Sequence, residues 1–251
     1  MHIQSFCAGS LVVGSLLIGA SAQAAPEHLE LAAELAATIK PSTNYYGGPT
    51  VLSWAGENGL SYSKVVAKCS TFVTELLKKA YDVDIKEWFG AASPHAACYH
   101  DTIEVEDGFT LIESIKDVKP GDIIAIADLD AGCDISSCGN YSGCGSTGHV
   151  MLVAAAPVKR NSSKPLVSGT LQYTLEIIDV TSSPHGDSDS RTDANPNHSD
   201  DSGVGTGTIR LYVDADDADL PIVGHTWTTS TGSTYRSQAK RSLVIGRYVG
   251  P

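Results

Sequence analysis

Cys69 and His149 are the two residues of this chain with the clearest capacity for chemistry. In Lys68-Cys69-Ser70-Thr71-Phe72-Val73 a cysteine opens a segment whose Phe72, Val73, Leu76, Leu77 and Ala80 recur at helical spacing. That spacing predicts an amphipathic helix from Cys69 to about Tyr81 with one apolar face turned inward. A thiol in the first turn meets unpaired backbone N–H groups and the positive end of the helix dipole, and both favour thiolate. The same N–H groups can bond an oxyanion that forms beside the sulfur. Downstream, Gly148-His149-Val150-Met151-Leu152-Val153 puts a histidine at the head of a short apolar run, read as a buried strand. A helix-borne thiol and a histidine able to hold its proton are the parts of a thiol nucleophile.

Cysteine arithmetic singles out Cys69 by a separate route. Leu11 to Ala20 form an apolar stretch followed by Ala22-Gln23-Ala24, a small-residue cleavage pattern, so residues 1–24 are expected to be a signal peptide and to take Cys7 with them. Cys69, Cys98, Cys133, Cys138 and Cys144 remain. Five cannot all pair within one chain in an oxidising compartment. Three lie in the Gly- and Ser-rich stretch Cys133 to Cys144, which has little core of its own and gains most from covalent ties. Cys98 is the fourth candidate, and the three possible connectivities stay open. Cys69 is left as the free thiol.

The elements that must hold these residues read as a single domain over residues 25–251. His28 to Ile39 is a predicted helix ended by Pro41, and the loop Asn44 to Pro49 leads toward the Cys69 helix. Pro120-Gly121-Asp122 turns into the apolar run Ile123 to Ala127. Four further strands are expected at His149–Ala156, Tyr173–Val180, Thr208–Val213 and Leu243–Val249. Helices first and strands afterwards is an α+β pattern. The polar stretch Pro184 to Gly207, with Asp187, Asp189, Asp193, Asp200 and Asp201, reads as a long solvated loop of the kind found near sites. The formal charge of −12 falls entirely on residues 25–251 and argues against nucleic acid and anionic lipid as partners. No apolar run is long enough for an ordinary membrane-spanning helix.

The order of these segments resembles the NlpC family of papain-like cell-wall cysteine peptidases. Cys69 on its helix, Val118-Lys119-Pro120-Gly121-Asp122 before a strand, Gly148-His149-Val150, Ile177-Ile178-Asp179-Val180 and Val244-Ile245-Gly246-Arg247-Tyr248-Val249 follow one another as in that family. Asn44-Tyr45-Tyr46-Gly47-Gly48 is similar to its tyrosine-bearing segment, shifted by one position. Lys68 and Thr71 stand where the family usually has Asp and Gly. The resemblance implies a papain-like fold of N-terminal helices packed on an antiparallel sheet of about five strands. It also implies a Cys69-His149-Asp179 triad acting on peptidoglycan stem peptides.

Each residue has a competing explanation. Aspartate is disfavoured inside a strand, so Asp179 needs a reason, and orienting the His149 ring supplies one; starting a turn toward Ser182 is the other. His185 is a rival for the third position. Cys133, Cys138, Cys144 and His149 could bind zinc, although their spacing is looser than that of structural zinc knuckles. The stretch Asp187–Asp193 lacks the glycine and glutamate of a calcium loop. The expectation is therefore an exported cysteine amidase or peptidase, periplasmic or extracellular, monomeric, with no cofactor and no metal. The Cys69 N–H, Ser70 and Tyr45 or Tyr46 would line the oxyanion and substrate side. An acyl or peptidyl transferase on the same residues is one alternative. A catalytically inactive binding protein is another, although the intact residue set speaks against it.

Overall fold

Pro26 sits at the N-cap of the first helix, where a missing N–H costs nothing. A computed structural model describes residues 24–129, 138–139, 146–192 and 202–251 of the chain. The expected signal peptide lies outside the described residues except for Ala24, and Cys133 and Cys144 lie outside them as well. Helix α1 (Glu27–Thr38) carries Glu27 and Glu30 in its first turn, at the positive end of its dipole, and buries Leu29, Ala32 and Leu35. Strands β1 (Ile39–Tyr46), β2 (Val51–Ser53) and β3 (Ser63–Ala67) make a small sheet in the order β1-β3-β2. β3 runs directly into α2 (Cys69–Tyr81), which is followed by α3 (Ile85–Phe89) and α4 (Ala96–Glu104).

The rest of the described chain is a nine-stranded antiparallel sheet. Its strands are β4 (Phe109–Leu111), β5 (Ile123–Asp128), β6 (Gly148–Val153), β7 (Val158–Arg160), β8 (Thr170–Thr181), β9 (Gly203–Asp214), β10 (Ile222–Thr226), β11 (Arg236–Ser237) and β12 (Arg241–Tyr248). They lie in the order β11-β10-β9-β8-β6-β5-β12-β4, with β7 paired to β8 beside that path. Successive strand residues face opposite ways, and here both faces are buried. Val150, Leu152, Ile178 and Val180 pack with Leu35, Phe72, Val73 and Leu76 of the helices. Met151, Val153, Ile177, Leu211 and Ile245 point the other way into a second core. The sheet closes over that second core by curling. β10 packs against β12, and a bridge between Ser114 and Pro221 joins the two ends.

This architecture corrects the expected papain-like arrangement of helices on about five strands. The chain is mostly β, with nine strands in one sheet and three in another. Each of the five strand candidates lies within or overlaps a strand, but the seven further strands carry no clear alternation of apolar and polar residues. β7 and β11 are short and polar, and β10 is short and mixed. β1 contains Pro41 and leaves Tyr45 and Tyr46 exposed. Their place in the fold comes from pairing with neighbours rather than from a pattern of their own.

The stretch read as a solvated loop is also corrected. Residues 203–207 belong to β9, and His185, Asp189 and Arg191 are buried. A Cβ on Gly205 would lie 2.8 Å from the Arg191 and Ser190 side chains, and one on Gly207 would lie 2.7 Å from His185 Cβ. The glycines let residues 185–191 lie flat on the strand. Asn44 ties the small sheet to the large one in a comparable way. Its Nδ2 donates to the Val204 carbonyl (2.8 Å) and its Oδ1 accepts the Val204 N–H (2.7 Å), as a strand neighbour would.

Cys98, in α4, is bonded to Cys138 across 40 positions, and Cys69 is a free, buried thiol. Closing a loop of that length removes about 4 kcal/mol of unfolded-chain entropy in the simplest treatment. Among the described residues no helix is long and apolar enough to cross a membrane.

Candidate functional site

The site forms where two neighbouring strands part. β6 and β8 pair at Leu152–Ile178 and Val153–Ile177. Before Leu152 on one strand and after Ile178 on the other, no such pairing continues. The N-terminus of α2 fills the gap, and the Val150 N–H donates to Cys69 Sγ, as does the Ser70 N–H. His149 precedes Val150 and Asp179 follows Ile178, so the two flank the opening. Both face the side away from the helices, His149 opposite Ile126 and Asp179 opposite Gly205. Gly148 is required immediately before the histidine. Its φ is +123°, and a Cβ there would fall 1.7 Å from the Ile126 carbonyl oxygen.

Lys68 stands at the N-cap of α2, where a side chain with no acceptor atom leaves first-turn N–H groups to the sulfur. Thr71 closes the turn from within, its Oγ1 accepting the Lys68 N–H at 3.0 Å. This explains the departure from a more usual cap: the capping function has moved to the third helical position.

A continuous set of hydrogen bonds runs inward from the thiol. His149 bonds Cys69 through its side chain. Its Nε2–H donates to Asp179 Oδ2 at 2.5 Å, which leaves Nδ1 for the sulfur. Asp179 is wholly buried and holds two further donors. His185 Nε2 reaches the same Oδ2 at 3.0 Å, and Arg191 Nη1 reaches Oδ1 at 2.8 Å. Arg191 also grips Asp189 through Nε and Nη2, at 2.8 and 2.7 Å. His185 Nδ1 faces the Trp227 carbonyl at 2.9 Å. A carbonyl and a carboxylate both accept, so each ring nitrogen of His185 faces an acceptor.

His185 is thus not an alternative to Asp179 but a second partner of it. The Trp227 ring stacks on His185 with centroids 4.0 Å apart and meets His149 edge-on at 4.9 Å. Its Nε1–H donates to the Ser183 and Pro184 carbonyls, which fixes the ring as a wall beside the imidazole.

Electrostatics follow from this geometry. Burial alone pushes the Cys69 thiol up, but the His149 charge, its hydrogen bond and the two backbone N–H groups outweigh burial and bring the thiol below its ordinary range. Burial would lower His149, yet the Cys69 charge and Asp179 carry it up to about 10. Each charge thus favours the other, and the geometry biases the pair toward thiolate and imidazolium. Asp179 is pushed up by burial and held far below the usual carboxylate range by His185, Arg191 and His149. Alkylation of Cys69 by iodoacetamide should accordingly reach half its maximal rate below the value of about 8.5 for an ordinary thiol. A pH–rate profile read by peptide mapping checks this, and a single rise centred near 8.5 would rule out the resting ion pair.

Cys69 and His149 open onto a cleft of about 720 Å³. Tyr46 and Ser70 line it, as do His95 and Ala96 at the head of the disulfide-anchored α4. Tyr45 does not, and its hydroxyl turns back to the Ser42 carbonyl. The ligand atoms of His149, Asp179 and His185 lie within 4.8 Å of one another, the one buried cluster of metal-binding type among the described residues. Asp179 already carries a guanidinium on one oxygen, and His149 turns its other nitrogen to the thiol, so the group is arranged for proton and hydrogen-bond chemistry. Trp227, Arg191 and Asp189 were not foreseen as site residues. Arg191 had one signal, a lone cation among aspartates.

Comparison with known proteins adds a relative. An uncharacterized protein of Acanthamoeba polyphaga mimivirus is 31% identical over 203 residues, covering 77% of this chain and 82% of the viral protein. The chain belongs to that protein's family. No protein-family model matches the chain, and no solved structure matches it. The name of that relative assigns no activity, so function is argued from the site.

Proposed function

We propose that the protein is an exported cysteine amidase or peptidase. The observation that carries this reading is the unbroken hydrogen-bonded chain Cys69–His149–Asp179, with its sulfur and imidazole opening on a cleft. In the reaction, Cys69 Sγ attacks the amide carbonyl carbon and the carbonyl π pair moves to oxygen. The Cys69 backbone N–H, in the first turn of α2, is the donor available to stabilise that charge. Collapse breaks the C–N bond while His149 gives its Nδ1 proton to the departing nitrogen. Water then attacks the thioester and yields its proton to His149. The C–S bond breaks, the acid leaves, and the thiolate–imidazolium pair is restored. Asp179 holds the ring so that Nδ1 faces the sulfur.

The resemblance of the motif order to NlpC-type peptidases supports peptidoglycan stem peptides as substrates. The Cys98–Cys138 disulfide supports an oxidising compartment, in keeping with the signal-like residues 1–24. Incubation with purified muropeptides tests the reading by mass spectrometry of products and of the intact protein. The expected result is a cleaved amide with a new carboxyl and a new amine, and a transient acyl adduct on Cys69. An added amine acceptor separates the transferase alternative, since a transferase would return the acyl group as a new amide. A Cys69 that alkylates readily while no substrate is cleaved and no adduct forms would favour the inactive binding protein instead.

A further inference from the structure

The cleft has a charge opposite to that of the protein. The chain holds 29 Asp and Glu against 17 Lys and Arg. Among the described residues that line the cleft, however, there are three cations, Lys68, Arg236 and Arg241, and no Asp or Glu. The two arginines come from the β11–β12 segment and flank one residue, His225. Arg236 sits directly across from His225 in the β10–β11 pair, so their side chains share a face. Arg241 has one bond to Asp128, Nη2 to Oδ2 at 2.8 Å, out of the five donors of its guanidinium. Arg236 has no ion-pair partner among the described residues.

His225 itself is unsatisfied. It is 3% exposed and lines the cleft, and its buried Nδ1 has no hydrogen-bond partner. Burial, then Arg241 and Arg236, lower its pKa to about 4. The positive field of the two guanidinium groups is therefore felt at the ring, although Arg241 is partly offset by Asp128. A buried polar atom left unpaired is costly, and an arginine pair beside it matches the planar, two-oxygen shape of a carboxylate. Trp227, two residues on from His225, is the wall that touches His149. The basic patch and the nucleophile belong to one continuous cleft.

We propose that His225, Arg236 and Arg241 form a carboxylate subsite, and that the substrates are amides bearing a carboxylate close to the bond attacked by Cys69. This rests on the cysteine-nucleophile reading and deepens it. The subsite explains why an acidic protein keeps a basic cleft: the cations recruit and orient an anionic substrate, while the acidic exterior repels anions elsewhere.

Two alkylating agents of nearly equal size, anionic iodoacetate and neutral iodoacetamide, test the subsite on the full chain through the rate at which each modifies Cys69. The quantity read is the iodoacetate-to-iodoacetamide rate ratio, in the wild type and in Arg236→Gln, Arg241→Gln and the double variant. The ratio should fall about tenfold in the double variant and fall in the wild type as salt is raised. Arg236→Lys, which keeps the charge, should restore most of it. Because Arg241 also pairs with Asp128, Arg236→Gln alone gives a readout should the Arg241 variants fold poorly. A ratio that is independent of both arginines and of salt would overturn the subsite. An absolute rate no faster than that of an ordinary thiol would overturn the nucleophile reading instead, and the ratio would still be measurable.

Discussion

Cys69→Ala is expected to lower amide hydrolysis by at least about 10⁴-fold, and His149→Ala to do nearly the same. One change removes the atom that forms the thioester. The other removes the proton for the leaving amine and the charge that holds the thiolate. Since the two act as a unit, the double variant should be scarcely worse than either single one. Cys69→Ala should fold normally, because Ala is well suited to a helix and the side chain removed is small. Asp179→Asn separates this arrangement from a simple triad. In a simple Cys-His triad a carboxamide oxygen can still accept from the imidazole, as the Cys-His-Asn enzymes show. Here both carboxylate oxygens accept: Oδ2 from His149 and His185, Oδ1 from Arg191. An asparagine must turn its NH₂ against one of these donors. The expected loss is therefore on the order of 10²–10³-fold, and kcat on a cleavable muropeptide measures it. Nearly full activity in Asp179→Asn would mean that the His149 ring is held by something else.

The strongest periodicities were legible. The helix at Cys69 spans Cys69–Tyr81, as its apolar spacing indicates, because a one-sided apolar face and a charged opposite face leave little choice. The runs at Ile123 and Val150 were legible as strands for a different reason: buried on both faces, they are continuously apolar. Cys69, His149 and Asp179 stood out because each is a reactive or polar residue at the edge of such a run. What was not legible depends on neighbours distant in sequence. β10, with His225, and β11, with Arg236, are short and without a clear pattern, and become strands by pairing, β10 onto β9 and β11 onto β10. The curl that closes the second core is a property of the whole sheet, so no local segment betrays it. The aspartate-rich stretch misled for a physical reason. Asp189 and Arg191 look like solvated charges singly, yet each is the other's partner once glycines at 205 and 207 let the chain lie down on β9.

That buried pairing leads to the largest stability effect expected in the molecule. Arg191 is the common cation of two fully buried carboxylates, Asp179 and Asp189, and also donates to the Gly203 carbonyl. Arg191→Met keeps the length and apolar stem of the side chain and removes the charge. Both carboxylates then remain buried without it, and breaking a buried pair from one side costs about 3–5 kcal/mol. For a domain of this size that lowers Tm by on the order of 10 °C. The pH dependence gives the effect a signature that a packing defect would lack. In the wild type Asp179 titrates well below its unfolded value, so its contribution to stability is fully present above that value, about 3.9, and is lost as pH falls through the depressed folded value. In Arg191→Met the depression is smaller, since His185 and His149 alone maintain it. The gap in Tm between the two proteins should therefore be widest near neutral pH and narrow only in strong acid, as pH falls through the depressed folded values of Asp179 and a protonated carboxyl no longer needs the guanidinium. Thermal unfolding followed by circular dichroism from pH 7 down to the acid limit of the folded protein measures that gap. A gap that stayed constant across the range would show that Arg191 stabilises the fold through its packing rather than its charge.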